Sequence, residues 1–284
     1  MKPARFFKIV TVAAAISLCW SAGHAEGPDQ APDSPTSLGQ PALSHFQRTF
    51  VDRLSPHLPS YFIYGTKSPE VKFQFSVKYR LLSMPGPVHL HNLNVGYTQR
   101  SLWDVQAPSS PFFDTSYMPE LFWESLAPAE SLTGSGAHWL GYHTGIQHES
   151  NGRDGPESRS VNTAYVRPIF NVGNMDSWNV VFAPRLFGYL SKENDNADIA
   201  VYRGYAEWIA ILGKNDNVSL ALIGRTGSHF DRGSLETNLS YPIRNRRWDL
   251  ATFLYVQWFE GYGESILNYN RRSSIVRAGI ALVR

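Results

Sequence analysis

The chain has 284 residues, with 26 Lys and Arg, 24 Asp and Glu, a single Cys and 13% aromatic residues. This length allows one or two domains with a sizeable core. One cysteine excludes a disulfide framework, and the small net charge gives no indication of nucleic-acid binding.

The first 25 residues have the pattern of a secretory signal. Gly23-His24-Ala25 is a small-x-Ala cleavage site, and the apolar run over residues 9–20 is too short to span a bilayer. The basic residues ahead of this run are Lys2, Arg5 and Lys8. Without them, 23 Lys and Arg stand against 24 Asp and Glu, so the mature chain has a formal net charge of −1 and no cysteine. The basic isoelectric point therefore belongs to the signal.

Residues 26–58 are rich in Pro, Ser and polar residues, which predicts an extended segment that is either poorly ordered or periplasmic. From residue 59 to residue 284 the dominant pattern has period two, and we assign this range to one β domain. No run after residue 25 approaches 18 apolar residues, so no transmembrane helix is expected.

The stretch VKFQFSVKYRL, residues 71–81, has the clearest alternation, with apolar and aromatic residues on one phase and Lys, Gln, Ser and Arg on the other. Eleven alternating residues match the length of a strand that spans a bilayer. WDLATFLYVQW, residues 248–258, repeats the pattern with aromatic residues near both ends, as in interfacial girdles. The run over residues 276–282 alternates in the same way.

Turn signals separate these runs at intervals of one strand plus one loop, and the chain offers room for ten to twelve strands. Because single-chain bacterial barrels favour even strand numbers, we predict an all-β fold, a transmembrane antiparallel β-barrel of twelve strands. The polar phase of the strands then faces the lumen. Its basic residues predict a filled, charged interior rather than a wide pore, and they are Lys72, Lys78, Arg80, Arg167 and Arg277.

The stretch GIQHESNGRDGPESRSVN, residues 145–162, carries the candidate chemistry. In the strand that enters it, Ile146, His148 and Ser150 share the more lipid-like phase. The other phase holds Trp139, His143 and Gln147. On the returning strand Asn162 shares a phase with apolar residues, which places it outward near His148 across the hairpin. Polar side chains on a lipid-facing surface are costly and usually functional.

These residues are suited to nucleophilic acyl transfer. His148 and Ser150 lie about 6.6 Å apart along the strand, so their side chains can meet. His148 would act as the base that activates the Ser150 hydroxyl, and the amide of Asn162 would orient the imidazole. The backbone N–H of Gly152 would face the developing oxyanion.

The same residues have other interpretations. They could form only a polar strand end with an Asn-Gly turn, or belong to a zinc-protease motif or an α/β-hydrolase motif. The zinc-protease pattern H-E-x-x-H fails, because Gly152 stands where the second His belongs. No G-x-S-x-G elbow occurs in the chain, which argues against an α/β-hydrolase.

HESNGRDGPESRSVN resembles the His-x-Ser-Asn-Gly-Arg signature of the outer membrane phospholipase A family, with its later Pro-x-Ser-Arg-Ser-x-Asn. Further blocks match that family in order over residues 60–282: EVKFQFSV, GYTQRSLW, SSPF, PELF, LSYPI and GYGESILNYN. The resemblance implies a twelve-stranded barrel that hydrolyses phospholipid esters, requires Ca²⁺ and is active as a homodimer. It assigns the nucleophile to Ser150, the base to His148 and the orienting amide to Asn162.

The same resemblance implies a calcium site near the oxyanion hole. Its ligands would be the backbone carbonyl of Arg153, the hydroxyl of Ser158 and a serine from the partner subunit that corresponds to Ser109, with Ser110 as the alternative. Oxygen ligands of this kind suit a hard cation. This chain has Gly155 where the family has an acidic residue, and we expect that to change the calcium affinity.

Gln99 lies on the lipid-facing phase of its strand, and the resemblance places it in the dimer interface. An amide in hydrocarbon needs a hydrogen-bond partner, which a second subunit could supply; a position near the lipid headgroups is the alternative. Glu149 stands where the family has Asp and is expected to face inward. The competing functions are a non-catalytic channel or scaffold barrel, and another lipid-acyl enzyme such as an acyltransferase or a deacylase.

Overall fold

The computed structural model describes residues 50–86, 90–127, 135–174, 177–192, 196–214, 217–245 and 250–284. The predicted signal, residues 26–49 of the predicted N-terminal segment, and Trp248 lie outside the described residues. None of the described helices is both long and apolar enough to cross a membrane.

The described residues form fourteen antiparallel strands, and the pairing of β3 with β4 closes the sheet into a barrel. The strands are β1 (Leu54–Pro56), β2 (Ser60–Gly65), β3 (Val71–Pro85), β4 (Leu90–Trp103), β5 (Phe112–Leu126), β6 (Ala137–Ser150), β7 (Ser160–Gly173), β8 (Trp178–Phe182), β9 (Arg185–Lys192), β10 (Ala206–Lys214), β11 (Ser219–Thr226), β12 (Gly233–Asn245), β13 (Leu250–Tyr262) and β14 (Arg272–Val283). Short helical segments include a 3-10 turn (Gly155–Glu157) and α1 (Ile199–Arg203).

These segments make twelve barrel strands within the described residues, because β1 and β2 both pair with β3, and β8 and β9 both pair with β7 and β10. β8 and β9 are separated by a break of two residues, and both pair with β7 in the same register. This register sets Pro184, in the break, opposite Pro168 of β7. Neither proline has an N–H to donate, so the ladder is interrupted there without changing the strand's path. The predicted twelve-stranded transmembrane barrel is confirmed.

The chain between β1 and β2 turns one side chain into the lumen. Nε2 of His57 lies 2.7 Å from Oε1 of Glu120, and its ring stacks on Phe122 with centroids 4.9 Å apart. Because Leu54–Pro56 already pairs with β3, the ordered barrel begins inside the segment that the sequence assigned to residues 26–58.

The alternation predicted for the strands is confirmed in their burial. On β13, Leu254 and Trp258 are exposed on the outer face, while Gln257 between them is 1% exposed. On β14 the same holds for outward Val276 and inward Arg277, at 57% and 1%. An apolar outer surface and a polar lumen follow from the period-two pattern.

The predicted inward position of Trp139 is wrong. The register of β6 with β7 shifts between Trp139 and Gly141, so Leu140 is an extra residue in the ladder. A bulge reverses the face of every residue before it, and Trp139 therefore lies on the outer surface, edge-to-face with Phe170 at 5.0 Å.

The lumen is filled by charged side chains, as the basic residues of the polar phase predicted. Lys72 lies 3.1 Å from Glu236, Lys78 lies 2.6 Å from Glu124, and Arg277 lies 2.5 Å from Glu264. Arg167 lines the central cavity of about 160 Å³, whereas Arg80 lies near one end and donates to the backbone oxygen of Asp52. This packing argues against a wide channel.

One end of the barrel is closed by α1 and the loop between β13 and β14. A buried apolar cluster joins them to β7, and it consists of Val161, Ile199, Ile266 and Tyr269. The Tyr269 hydroxyl donates to the Asp198 carboxylate, and burial together with that carboxylate raises the pKa of Tyr269. The β6–β7 loop, which holds the candidate site, lies at this same end.

Candidate active site

The β6–β7 hairpin places the predicted residues on one outward-facing patch. Its register pairs His148 with Asn162 and Ser150 with Ser160. Ile146, on the same phase of β6, is 53% exposed on the outer face, while Glu149 between the two candidates is buried in the lumen. The outward direction predicted from the sequence is therefore the direction observed.

His148 and Asn162 meet across the hairpin, with 2.9 Å between Nδ1 of the imidazole and Oδ1 of the amide. An amide oxygen only accepts, so Nδ1 carries the hydrogen and Nε2 has a free lone pair. That is the tautomer a general base needs. Ser150 lies two residues further along β6, on the same outward phase as His148.

The Asn162 amide has a second partner that the sequence did not predict. Its Nδ2 donates to the hydroxyl oxygen of Ser191 on β9, at 2.6 Å. Ser191 follows Asn162 by 29 residues. The period-two pattern of β9 would have placed it inward, so the sequence offered no local signal for this contact.

Gly152 turns the chain immediately after the nucleophile candidate. Its φ is +65°, a conformation that L side chains rarely adopt, and a Cβ added there would lie 3.0 Å from Cε2 of Tyr117. Tyr117 pairs with Ser150 on the neighbouring strand. A glycine is therefore required at the point where the backbone N–H would face the reacting carbonyl.

The loop between β6 and β7 is held by the buried side chain of Asn151. Its Oδ1 accepts from the backbone N–H groups of Arg153 and Arg159, at 3.3 and 3.1 Å, and its Nδ2 donates to the backbone oxygen of Glu157 at 2.8 Å. The Arg153 guanidinium also donates to the backbone oxygen of Phe113, at 2.5 Å. The loop is thereby fixed at both ends and against β5.

Arg153 and Ser158, the predicted calcium ligands, both lie in this fixed loop. The backbone N–H of Ser158 donates to the oxygen of Gly155 at 3.0 Å, which closes the 3-10 turn. Gly155 has a φ of +58°, a conformation that glycine adopts without strain. No cluster of three or more His, Cys, Asp or Glu in the described residues could hold a metal. The donors available here are a carbonyl and a hydroxyl, which a hard cation accepts.

Ser109 and Ser110 lie exposed in the loop between β4 and β5, both with positive φ. The Ser110 hydroxyl donates to the backbone oxygen of Val105 at 3.0 Å, and its backbone oxygen accepts from Nε1 of Trp103 at 2.8 Å. Among the described residues, no hydrogen bond engages the Ser109 hydroxyl. Ser109 is therefore the serine of this pair whose hydroxyl is available to another molecule.

Gln99 lies on the outer face of β4, as predicted, but its amide is not left without partners. Its Oε1 accepts from the Tyr97 hydroxyl at 3.1 Å, and its Nε2 donates to the Ser101 hydroxyl at 3.2 Å. One amide hydrogen and one lone pair are left over for a further contact.

A buried ion network lies directly behind the site. Glu149 Oε2 lies 2.8 Å from Arg203 on α1, its Oε1 accepts from the Ser116 hydroxyl at 3.0 Å, and Arg100 is 3.5 Å away. The inward direction predicted for Glu149 is observed. The network ties the end of β6 to β4, β5 and α1, and so holds the backbone from which His148 and Ser150 project.

Fold and site together define a class of protein. It is a membrane-spanning β-barrel with an imidazole, a hydroxyl and an amide on one patch of its lipid-facing wall. A patch in this position is open to molecules that lie in the bilayer.

Comparison with known proteins identifies the family. A model described as Phospholipase A1 matches residues 51–282. Phospholipase A1 of Escherichia coli strain K12 is 35% identical over 221 residues, which cover 77% of this chain and 71% of that protein. A putative phospholipase A1 of Neisseria meningitidis serogroup B is 31% identical over 217 residues, covering 75% of this chain and 54% of that protein. The chain belongs to the phospholipase A1 family.

Solved structures agree with this assignment. Outer membrane phospholipase A from Escherichia coli superposes with a TM-score of 0.68 at 30% identity, covering 81% of this chain and 91% of that one. The Salmonella typhi outer membrane phospholipase, a dimer with bound calcium, superposes with a TM-score of 0.69 at 30% identity. The match covers 81% of this chain and 92% of that one. Another solved structure is an active-site mutant of the Escherichia coli protein in which an asparagine is replaced by alanine. The chain is thus a phospholipase of the outer membrane.

Proposed function

We propose that this chain is a calcium-dependent phospholipase with A1, A2 and lysophospholipase activity, active as a homodimer. Ser150 is its nucleophile, His148 its base and Asn162 its orienting group. The observation that carries the proposal is the contact of 2.9 Å between Nδ1 of His148 and Oδ1 of Asn162, on the outward face that also presents Ser150. The asparagine named in the active site of the Escherichia coli relative supports the role of Asn162.

In this proposal, ester hydrolysis proceeds in two steps. Ser150 Oγ attacks the acyl carbonyl carbon of a phospholipid while Nε2 of His148 takes the hydroxyl proton. The imidazolium that forms keeps its Nδ1–H on Asn162, and the backbone N–H of Gly152 donates to the oxyanion. When the ester bond breaks, His148 returns the proton to the departing lysophospholipid oxygen. His148 then takes a proton from a water molecule that attacks the acyl-Ser150 ester, and it returns that proton to Ser150 Oγ as the fatty acid leaves.

Calcium fits the donor set of the loop between β6 and β7. The Arg153 carbonyl and the Ser158 hydroxyl would hold it, with the partner subunit's Ser109 completing the ligands, and the calcium-bound dimer of the Salmonella typhi relative supports this assignment. When bound, the ion supplies positive charge beside the oxyanion hole. Because the remaining ligand comes from a partner, dimerisation would control activity.

Removal of residues 1–25 as a secretory signal belongs to this proposal, since an outer-membrane barrel has to be exported. Residues 26–58 would then precede the catalytic barrel of residues 59–284, with pairing to β3 already begun at Leu54.

The test is fatty-acid release from mixed phospholipid–detergent micelles, with calcium or with chelator, for the wild type and Ser150→Ala. We expect calcium-dependent release of fatty acid and lysophospholipid that falls by at least about 10³-fold in the variant. Thr144→Val is a matched control, because Thr144 is exposed on the same face of β6, about 20 Å from Ser150. Undiminished release in Ser150→Ala would place the nucleophile elsewhere, and transfer of the acyl group to another lipid would indicate an acyltransferase.

A further inference from the structure

A bulge in β9 lies beside the catalytic hairpin. Leu186 to Tyr189 pair in regular register with Val166 to Thr163 on β7, but the next pair is Ser191 with Asn162. Leu190 is therefore an extra residue on β9, and at 64% exposure it projects from the outer surface. Bulges beside active sites often redirect a side chain.

The side chain redirected here is that of Ser191. Tyr189 lies on the inward phase with Thr163, so regular alternation would bring Leu190 outward and Ser191 back inward. With Leu190 as the extra residue, Ser191 opposes the outward-facing Asn162 and is itself exposed on the outer face. The bulge thus places a hydroxyl within 2.6 Å of Nδ2 of Asn162.

The amide of Asn162 needs such a contact because its two ends are nearly the same shape. When His148 becomes an imidazolium, both ring nitrogens carry hydrogen, and only the amide oxygen can face Nδ1. The amide nitrogen then needs an acceptor for its hydrogens, and a fixed acceptor in the protein holds the amide in this orientation. The Ser191 oxygen provides it, so the amide is held at both ends.

We infer that Ser191 is a positioning residue for this reaction, which holds the Asn162 amide so that its oxygen stays on Nδ1 of His148. The inference rests on the proposed function. Ser191 takes no proton and contacts no reacting atom, so its contribution passes entirely through Asn162.

The experiment compares Ser191→Val with Ser191→Thr, two side chains of the same shape that differ in the hydroxyl. We expect kcat with micellar phospholipid and saturating calcium to fall about 3- to 20-fold in Ser191→Val, with KM changed less than about twofold. Ser191→Thr should keep wild-type kcat. Labelling of Ser150 by a fluorophosphonate should slow in the same proportion, because it reports activation of the nucleophile without turnover. Folding of each variant is checked by its mobility shift on heating in SDS gels.

A double variant identifies the route by which Ser191 acts. In the Asn162→Ala background, Ser191→Val should cause no further loss, since the amide it positions is gone. An additive loss, or wild-type kcat and labelling in Ser191→Val while Asn162→Ala is impaired, would overturn the role of Ser191 and leave the proposed function standing. Wild-type activity in Asn162→Ala would instead overturn the Ser150–His148–Asn162 assignment itself.

Discussion

At the scale of single residues, the site depends on backbone conformations that most side chains resist. Gly152 takes a φ of +65° in the turn that follows Ser150, and the Tyr117 ring fills the space beside its Cα. An alanine there meets both conformational strain and a contact of 3.0 Å. The strain alone is about 1–2 kcal/mol for an L residue in this region.

We expect Gly152→Ala to lower kcat about 10- to 100-fold, because relief of the strain moves the backbone N–H away from the oxyanion. Gly188→Ala is the matched control: Gly188 lies on the outer face of β9, and an added Cβ would meet nothing within 4 Å. Fatty-acid release by the two purified variants measures the difference. Equal activities would exclude Gly152 from the oxyanion hole.

At the scale of elements, the catalytic end of β6 is held by the ion network in the lumen. Glu149 is buried between Arg203 of α1 and Arg100 of β4, and it shares its strand with both His148 and Ser150. Neutralising one member of such a buried pair leaves an uncompensated charge, which costs about 3–5 kcal/mol. The same residue thus links the closed end of the barrel to the site on its outer wall.

We expect Glu149→Gln to reduce the free energy of unfolding by about 3 kcal/mol and to lower activity, because Arg203 loses its partner and β6 is less firmly held. Glu260→Gln removes an equivalent carboxylate from an exposed pair with Arg272, and it should leave both properties unchanged. Urea unfolding followed by tryptophan fluorescence, with a parallel activity assay, compares the two. Unchanged stability and activity in Glu149→Gln would contradict a supporting role for the network.

At the scale of the whole molecule, the closed barrel satisfies its backbone within the sheet and leaves an apolar wall for the bilayer. Polar groups on that wall are costly and usually functional. Gln99 is one of them: its two internal hydrogen bonds engage both ends of the amide but leave one hydrogen without a partner. That hydrogen is available to a second subunit or to a lipid headgroup.

We expect Gln99→Ala to raise the dissociation constant of the calcium-bound dimer about threefold, in line with the modest strength of a hydrogen bond between membrane-spanning segments. Thr237→Ala is the control, since Thr237 points outward from β12, on the far side of the barrel from β4. Analytical ultracentrifugation in detergent gives both constants. A dimer unaffected by Gln99→Ala would place the interface elsewhere on the wall.

Much of this molecule was predictable because local pattern and covalent spacing control it. Alternation over eleven residues predicts a strand with one apolar face, and repeated strands of that length with aromatic residues near their ends predict a barrel in the membrane. Phase alone also predicts that His148 and Asn162 face the same side of the hairpin, because alternate residues of a strand point to the same face. The sequence by itself therefore determined the fold class and the outward patch with Ser150 on it, and it limited the strand number to between ten and twelve.

Only the tertiary structure decided the facing of residues beside a β-bulge, where one strand has an extra residue relative to its partner. The bulges at Leu140 and Leu190 each reverse the face of their neighbours, and so moved Trp139 outward and brought Ser191 to Asn162. Pairing with the partner strand sets such a bulge, so a period-two reading of one strand cannot locate it. Likewise, Glu149 meets Arg203 across 54 residues, because closure of the barrel brings their elements together.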